Sequence, residues 1–379
     1  MSRIGTSVRL ELLLEAQRLS KELGFSVPRL VIIPPGRFPE NIHYPELTHL
    51  AESFRSELMH LTRDFIEERV FVRSAPFDEA LRPDLSFAGV YKSYAPKRYT
   101  PKDIHLVNGL MEVLAGRFNP YADYYYERHQ IRAKREIGVQ FMELVPRYLL
   151  RGTAYVFDGR LLTEFYDSQL SVQLEDPVRL AVTQASKSRC GYEEMANVFF
   201  TLSSALERGL DVEYLVDVAG QVHVVQVRPL SAVHLRNWKL LWSQVFETYT
   251  LSTPPAVVLN SIGNKEGVMV DLRGRKLCPE DFSGGIAEKI FLIHHHSSTS
   301  GTSSFEFLKY LNDHQIQGVS LIVIHGTWRV LDHLQYALVE DPGISFVIQT
   351  TLPETIQDFC DGQQVRLTSD GFEWQKQDK

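Results

Sequence analysis

The sequence predicts a two-domain chain of mixed α+β and α/β structure. Its 379 residues exceed the usual size of one domain. Helical and strand-like hydrophobic patterns alternate along the chain. After Pro229 a helical stretch leads into the Pro/Ser/Thr-rich segment "TLSTPPAVVLNS", which is typical of a linker. We therefore expect domains at 1–232 and 265–379, joined by a linker at 233–264.

The first domain alternates helices and strands. "RLELLLEAQRLSKELG" predicts a helix that ends at Gly24, and "RLVIIPPGRF" predicts a short strand. "PELTHLAESFRSELMHLTRDFIEE" predicts one long amphipathic helix, followed by strands at "RVFVRSA" and "IGVQFMELV". "TAYVFDGRLLTEFYD" predicts a hairpin that turns at Asp158 and Gly159. "YEEMANVFFTLSSALERG" predicts a helix that ends at Gly209.

The second domain is predicted to be a small α/β unit. Short strand patterns lie at "GVMVDL", "KIFLIHHH", "VSLIVIHG", "ISFVIQTT" and "QQVRLTSDGFEW". Helical patterns lie between them at "SSFEFLKYLNDH" and "DHLQYALVE".

The composition narrows the class of protein. Hydrophobic residues make up 44% and charged residues 23%, which is typical of a globular protein with buried cores. A formal net charge of −7 argues against broad electrostatic binding of nucleic acid or of an anionic membrane. The sequence shows no CxxC pair, no secretory signal pattern and no apolar run as long as a membrane span. We expect a cytoplasmic protein.

The segment "DVEYLVDVAGQVHVVQVRPL" (211–230) predicts a hairpin with unusual polar content. With Ala219-Gly220 at the turn, Val218 lies opposite Gln221. In that register one face carries two cross-strand pairs. These pairs are Glu213–Gln226 and Asp211–Arg228. Carboxylate and amide oxygens suit Mg²⁺, and a guanidinium suits phosphate. A solvated surface hairpin is the other interpretation, and a one-residue slip would separate the pairs.

This hairpin resembles the segment that closes the ATP-binding domain of the phosphoenolpyruvate synthase and pyruvate phosphate dikinase family. Glu213, Gln226, Arg228 and Pro229 fall on key positions of that segment. "FVRSAPFDEALRPDLSFAG" (71–89) is similar to the family's V-R-S-S-A…S-F-A-G loop, with Arg73 on its nucleotide-binding arginine.

"GVQFMELV" is similar to the family's strand before the adenine hinge. The resemblance implies an ATP-grasp-like fold for 1–232, with ATP and Mg²⁺ as cofactors. The implied ATP-binding residues are Arg73, Gln140, Glu143, Glu213, Gln226 and Arg228. Of these, Glu213 and Gln226 are the implied metal ligands.

"HGTWRVLDHLQYALVEDPGISFVIQ" (325–349) resembles the family's swivelling domain, whose histidine carries a phosphoryl group. His333 falls on that catalytic histidine, and a neutral imidazole is a good nucleophile at neutral pH. Asp332 would orient the ring or cap a helix, while His325 and Arg329 are secondary candidates for steadying the phosphoryl group. The adjacent histidines of "LIHHHSSTSGTSSF" lack zinc-site spacing and predict a solvated loop.

The sequence departs from the family pattern at its start. "IGTSVRLELL" has Ser7 where the family has a phosphate-binding lysine, and Arg9 is a nearby charge of different geometry. The glycine-rich lid is also shortened, and the chain has no room for the family's acceptor domains.

The first hypothesis is an ATP-dependent phosphotransferase that passes a phosphoryl group through His333 to an unidentified acceptor. That acceptor is a small molecule or is carried by a partner, and we allow for a partner subunit. No nucleic acid or membrane partner is expected. The alternative is a degenerate, non-catalytic regulatory subunit that binds a nucleotide or a partner. An ATP-grasp ligase acting through an acyl phosphate ranks last, because it gives His333 no role.

Overall fold

The structure of the protein is a computed structural model. It describes residues 8–39, 42–65, 70–76, 82, 85, 90–91, 93–95, 100–132, 136–145, 147–167, 178–189, 192–230, 235, 257–260, 265–294, 301–324, 344–350, 362–368 and 371–374. The described residues form two compact units, one within 1–232 and one within 233–379. The assignment of a nucleotide-binding domain, a linker and a carrier domain to these ranges stays a prediction.

The first unit contains a four-stranded antiparallel sheet with helices on one face. The strands lie in the order β1 (Leu30–Ile33), β4 (Ile137–Glu143), β2 (Val70–Pro76) and β3 (Ser93–Tyr94). The helices are α2 (Leu47–Ser53), α3 (Arg55–Leu61), α4 (Lys102–Ala115) and α5 (Pro120–Arg128). Val72, Val139 and Phe141 belong to the core on the helical side of this sheet. Because side chains alternate along a strand, Arg73 and Gln140 leave from the opposite side.

The first unit also contains a five-stranded antiparallel sheet. Its order is β7 (Val178–Thr183), β6 (Arg160–Asp167), β5 (Tyr148–Phe157), β8 (Leu210–Asp217) and β9 (Val222–Pro229). Helices α1 (Val8–Leu23) and α6 (Glu193–Ala205) share one core with this sheet. Leu13, Phe199, Val212 and Tyr214 are buried in it. One face of β8 is therefore apolar, and its other face carries the polar residues.

Several predicted elements of this unit are confirmed. Helix α1 ends before Gly24, whose φ of 75° is the left-handed conformation that favours glycine. Asp158 and Gly159 both have positive φ, 49° and 66°, as a two-residue hairpin turn requires. Strand β4 is buried along nearly its whole length, as its continuous apolar pattern predicts.

The single long helix predicted after residue 45 is wrong. The chain forms α2 and α3 with a break at Phe54, whose backbone N–H donates to Ala51 three residues earlier instead of four. The Phe54 ring is buried and packs 5.5 Å from the ring of Phe38. The break lets one aromatic side chain reach the core while the amphipathic pattern continues.

The predicted end of α6 at Gly209 is also wrong. The helix ends at Ala205, and Glu207 takes the left-handed conformation with φ of 50°. Gly209 has a different role, because a Cβ atom there would lie 2.9 Å from the Phe157 ring.

The turn between β8 and β9 is closed by Asp217. Its carboxylate accepts hydrogen bonds from the backbone N–H groups of Ala219 and Gln221 and contacts the His223 ring at 2.9 Å. Burial alone raises the pKa of Asp217, but the hydrogen bonds from His223 and the two amides outweigh it and lower that pKa below its ordinary value. The ionised carboxylate therefore stabilises the turn.

The second unit contains a seven-stranded mixed sheet. Its order is β10 (Val257–Asn260), β14 (Ile344–Thr350), β13 (Val319–Ile324), β12 (Lys289–His294), β11 (Lys265–Asp271), β15 (Gln364–Thr368) and β16 (Gly371–Trp374). The four strands β11 to β14 are parallel. Helix α7 (Ser304–Asp313) buries Phe307, Leu308 and Leu311. The predicted mixed α and β class is confirmed, whereas a swivelling phosphohistidine domain stays a prediction.

No helix among the residues that the structure describes is long and apolar enough to cross a membrane.

Candidate functional site

The polar faces of the two sheets of the first unit meet at Arg73. This residue lies on β2, directly opposite Gln140 on the neighbouring strand β4. The Arg73 guanidinium forms an ion pair with Glu213 of β8. It also donates a hydrogen bond of 3.2 Å to the carbonyl oxygen of Val225 on β9. Arg73 thus connects the four-stranded sheet to the hairpin that the sequence singled out.

The predicted cross-strand pairs of the hairpin are present. Glu213 lies opposite Gln226, and Asp211 lies opposite Arg228. The predicted turn, however, is wrong by one residue. Asp217 is opposite Gln221, and three residues form the loop, with Gly220 at φ of 84°.

A β-bulge at Val225 compensates for the shifted turn. The pairing changes register between Glu213 and Tyr214, so β9 has one residue more than β8 at this point. Val222, Val224 and Val227 all lie in the core, and the step from 224 to 227 is three residues instead of two. Gln226 and Arg228 therefore face away from the core. Without the bulge, the alternation of side chains would direct both into it.

Arg228 completes a cluster of charged side chains on this face. The charged cluster consists of Arg73, Asp211, Glu213 and Arg228. Its Nη2 atom lies 3.4 Å from a Glu213 carboxylate oxygen, and its Nη1 atom lies 3.7 Å from a carboxylate oxygen of Asp211. Glu213 is therefore held by Arg73 and Arg228 together. Asp211 is almost fully buried, with 2% exposure. A buried charge is costly unless it is paired, so the arginines and the acids stabilise each other.

Four buried donor atoms of the cluster have no hydrogen-bond partner within the described part of the chain. They are Nε2 of Gln140, Nε2 of Gln226, and Nε and Nη1 of Arg228. The three residues are exposed by only 6%, 4% and 9% in that order. A buried donor without a partner costs about 1–3 kcal/mol. An oxygen-rich anion would supply acceptors to all of them.

Arg9 also belongs to this cluster. The half-buried Arg9 side chain lies close enough to Arg228, Arg73, Glu213 and Asp211 to interact electrostatically with all four. Removal from water lowers the pKa of Arg9, and the neighbouring guanidiniums lower it further, while the two carboxylates act in the opposite direction. Three guanidiniums and two carboxylates leave an excess of one positive charge, which favours an anionic ligand.

The residues that could hold Mg²⁺ are Glu213 and Gln226. Both oxygens of Glu213 face arginines, so a metal would bind there after Arg73 turned towards a ligand. No group of three or more His, Cys, Asp or Glu side chains suited to a metal occurs among the described residues. Mg²⁺ commonly takes one or two protein oxygens and completes its shell with phosphate oxygens and water. The donor set fits a metal that arrives with a phosphate ligand.

The remaining predicted residues lie elsewhere. Glu143 is three residues from Gln140 on β4, so its side chain leaves from the other face of the sheet, away from the charged cluster. His333, Asp332, His325 and Arg329 lie outside the described residues.

The histidine run expected to be a solvated loop is partly in a strand. His294 is the last residue of β12, and burial followed by the charge of Arg273 lowers its pKa. The two following histidines lie outside the described residues.

No family model matches this chain, and no curated protein matches it either. Among solved structures it is similar to the macrocyclase MdnC from Microcystis aeruginosa MRC, bound with precursor peptide MdnA, at 9% identity and a TM-score of 0.31. It is also similar to D-alanine-D-alanine ligase from Helicobacter pylori, at 13% identity and a TM-score of 0.31. A third is the D-cycloserine synthetase DcsG, at 12% identity and a TM-score of 0.30.

These alignments cover 64%, 59% and 59% of this chain in that order. They cover 57%, 54% and 64% of the solved chains, so this chain spans less than two thirds of each. TM-scores near 0.3 carry no inference about activity.

The assignment to the phosphoenolpyruvate synthase and dikinase family is wrong. The structures named above are a macrocyclase, a synthetase and a ligase, and none of them is named as a phosphoenolpyruvate synthase or a dikinase. The resemblance rested on short motifs of arginine, glutamate and glutamine. Arginine, glutamate and glutamine are suited to phosphate and to Mg²⁺ in proteins of different families, so such short motifs indicate a chemistry more readily than a family.

Proposed function

We propose that this chain is an ATP-dependent enzyme and that its first unit binds ATP with Mg²⁺ in an ATP-grasp-like architecture. The proposal rests on buried donor atoms of Gln140, Gln226 and Arg228 that have no hydrogen-bond partner among the described residues. They lie beside an ion pair that joins the two sheets. Such donors are unfavourable in a purely structural cluster and favourable around a polyphosphate.

Each side chain has a distinct role in this proposal. Arg73 and Arg228 contact phosphate oxygens, because a guanidinium offers two parallel donors that match a phosphate. Gln140 supports the same phosphates from the strand beside Arg73. Glu213 and Gln226 hold the metal. When bound, Mg²⁺ neutralises charge on the phosphate oxygens and lowers the barrier to phosphoryl transfer.

The contribution of this chain to catalysis is positioning and charge. Phosphoryl transfer requires little covalent chemistry from the protein beyond holding the phosphates and stabilising their charge. The hairpin, with its bulge at Val225, presents Gln226 and Arg228 from one strand to the same ligand. Glu143 near the base and His333 as a phosphoryl carrier stay predictions from the sequence.

A non-catalytic nucleotide-binding subunit is the second candidate. One observation favours it, because Glu213 is held by Arg73 and Arg228 and is not poised for a metal. The two candidates share the binding site and differ in turnover.

Isothermal titration calorimetry with Mg²⁺ and ATP, ADP or AMP tests the binding site. We expect the wild-type chain to bind ATP and Arg228→Met to bind it about 10- to 100-fold more weakly, since hydrogen bonds from a charged donor are lost. The matched control is Arg366→Gln, a half-exposed arginine that pairs with Glu266 at 3.3 Å in the second unit. If Arg228→Met binds ATP as tightly as the wild type, the proposal that ATP binds at Arg228 is wrong.

ATP labelled separately at the β and γ positions then separates the candidates. Release of labelled product supports an enzyme and shows which phosphoryl group moves. Label on the chain that His333→Ala abolishes would establish a histidine carrier. Binding without any turnover, in the presence of candidate carboxylate and peptide acceptors, would favour the non-catalytic subunit.

A further inference from the structure

A buried histidine connects helix α4 to the edge of the four-stranded sheet. His105 is 2% exposed, and its Nε2 atom lies 2.6 Å from the carbonyl oxygen of Val70, the first residue of β2. A carbonyl oxygen accepts hydrogen bonds and does not donate them, so Nε2 carries the proton of the ring. The other ring nitrogen, Nδ1, is buried and has no hydrogen-bond partner within the described part of the chain. The site therefore fits the neutral ring.

The same ring packs on the edge strand β3. The ring centroids of His105 and Tyr94 are 5.0 Å apart. Strand β3 pairs with β2 at only two positions, where Tyr94 lies opposite Val72 and Ser93 lies opposite Arg73. Because so short a pairing supplies few hydrogen bonds, β3 also depends on its contact with α4.

Charged groups on the elements around this histidine are engaged elsewhere or lie further along the helix. On α4, Lys102 donates a hydrogen bond to a backbone carbonyl oxygen, Asp103 pairs with Arg55, and Glu112 is two turns away. The acids of α2 and α3 also pair with arginines, Glu52 with Arg55 and Glu57 with Arg37. The titratable group that faces the histidine ring is the phenol of Tyr94, and a phenol brings no negative charge near neutral pH. None of these groups would stabilise a charged imidazole.

We propose that His105 is a pH-sensitive clamp, which holds β3 and the start of β2 against α4 when it is neutral and releases them when it is protonated. Protonation places a hydrogen on Nδ1 and a positive charge in a buried site, and a buried charge without a partner is costly. The released ring can reach water instead. Because Arg73 lies on β2 opposite Ser93, the clamp links pH to a strand that carries part of the charged cluster.

The size of the effect follows from the two forms of the clamp. In the closed form, removal from water lowers the pKa of His105 below its ordinary value of 6.5, and the hydrogen bond to Val70 opposes this only in part. The clamp therefore contributes its full stability above pH 6.5 and loses it as the pH falls towards the lower pKa of the closed form. In the open form the ring has its ordinary pKa. Lowering the pH from 7.5 to 5.5 should thus raise the ratio of open to closed clamp by up to about tenfold.

Hydrogen exchange of the full chain, followed by mass spectrometry at both pH values, measures this ratio. After correction for the intrinsic exchange rate, the protection of peptides that contain β3 should fall by up to about tenfold in the wild type at the lower pH. His105→Gln keeps a donor for the Val70 carbonyl oxygen but does not titrate, so its protection should change by less than about twofold. The matched control is His60→Gln, which alters an exposed histidine of α3 and should behave as the wild type does.

The outcomes decide on the clamp without any nucleotide, so the test is independent of the proposed function. An equal pH dependence of β3 in the wild type and in His105→Gln would overturn the inference. Strand β3 should also be less protected than β5 at both pH values, because it opens locally. Equal protection of the two strands would show that acid unfolds the whole unit and would overturn the clamp. Should His105→Gln fail to fold by circular dichroism, His105→Met, which does not titrate either, takes its place with the same expectation.

Discussion

Glu213 is the residue whose removal tests the charge balance of the site most sharply. Its carboxylate faces Arg73 and Arg228, and its charge also acts on Arg9. Glu213→Gln keeps the shape of the side chain and removes one negative charge. The excess positive charge of the cluster then rises from one to two.

The expected loss of stability follows from the burial of these groups. Breaking a fully buried ion pair by removing one partner costs about 3–5 kcal/mol. The side chain of Glu213 keeps 21% of its exposure and that of Arg73 keeps 14%, so water screens part of the charge. We expect Glu213→Gln to lower the free energy of unfolding by about 2 kcal/mol.

An anion should reverse this loss. A ligand that binds the folded chain at 100 times its dissociation constant stabilises it by about 2.7 kcal/mol. With its additional positive charge, Glu213→Gln should gain more stability from inorganic triphosphate than the wild type does. At the same triphosphate concentration, the difference in stability between the two chains should therefore shrink.

Urea unfolding, followed by circular dichroism with and without triphosphate, provides the assay. All four tryptophans lie beyond residue 232, so their fluorescence gives a separate signal from the second unit. Glu15→Gln, which removes an exposed acid paired with Arg18, is the matched control and should change stability by less than about 0.5 kcal/mol. The reasoning is refuted if Glu213→Gln is as stable as wild type, or if triphosphate stabilises both chains equally.

Three further predictions concern the fold. Gly152→Ala should destabilise the chain by about 3 kcal/mol in urea unfolding. The added Cβ atom would lie 2.5 Å from the Glu164 carbonyl oxygen and 2.6 Å from Cβ of Phe165. An effect smaller than about 1 kcal/mol would mean that β5 and β6 can separate there. The pKa of Asp217 is lower in the folded chain than the ordinary carboxyl value of 3.8, so its ionisation stabilises the fold. This stabilisation is fully present above pH 3.8 and is lost as the pH falls through the lower pKa of the folded chain. The stability difference between wild type and Asp217→Asn should therefore shrink between pH 6 and about pH 3, and a constant difference would contradict this. Ser303 accepts a hydrogen bond from the third residue of α7, so Ser303→Ala should cost about 1 kcal/mol, and a neutral result would show that the cap is not needed.

Hydrophobic periodicity predicted most elements of the first unit but not their breaks. The pattern of α2 and α3 continues through Phe54, where packing of one aromatic ring interrupts the helix. The cross-strand pairs of the hairpin were predicted correctly, although neither the turn nor the bulge was. The turn lies one residue from its predicted place, and the bulge at Val225 shifts the register back by one residue. Adjacent valines at 224 and 225 interrupt the alternation and were the available signal for that bulge.

Arg9 shows what periodicity can reveal when it is applied to polar residues. The sequence interpretation treated Arg9 only as a nearby charge whose geometry differs from that of the family's lysine. Its spacing to Leu12, Leu13 and Ala16 already placed it on the buried face of α1. Periodicity could not predict that the cluster spans two sheets, because this depends on how strands distant in sequence face each other. The grouping of Arg73, Glu213 and Arg228 came only from the family resemblance. The family was wrongly assigned because short motifs reflect the residue types that bind a ligand. Such residue types also occur in proteins of other families.

A crystal structure of the wild-type chain with Mg²⁺ and a non-hydrolysable ATP analogue tests the central claim most directly. The account predicts phosphate oxygens within hydrogen-bond distance of Arg228 and Gln140. It also predicts that Arg73 turns from Glu213 to the phosphates and that the metal lies on Glu213. A nucleotide bound elsewhere, with the Arg73–Glu213 ion pair intact and the donors of Arg228 unchanged, would contradict it.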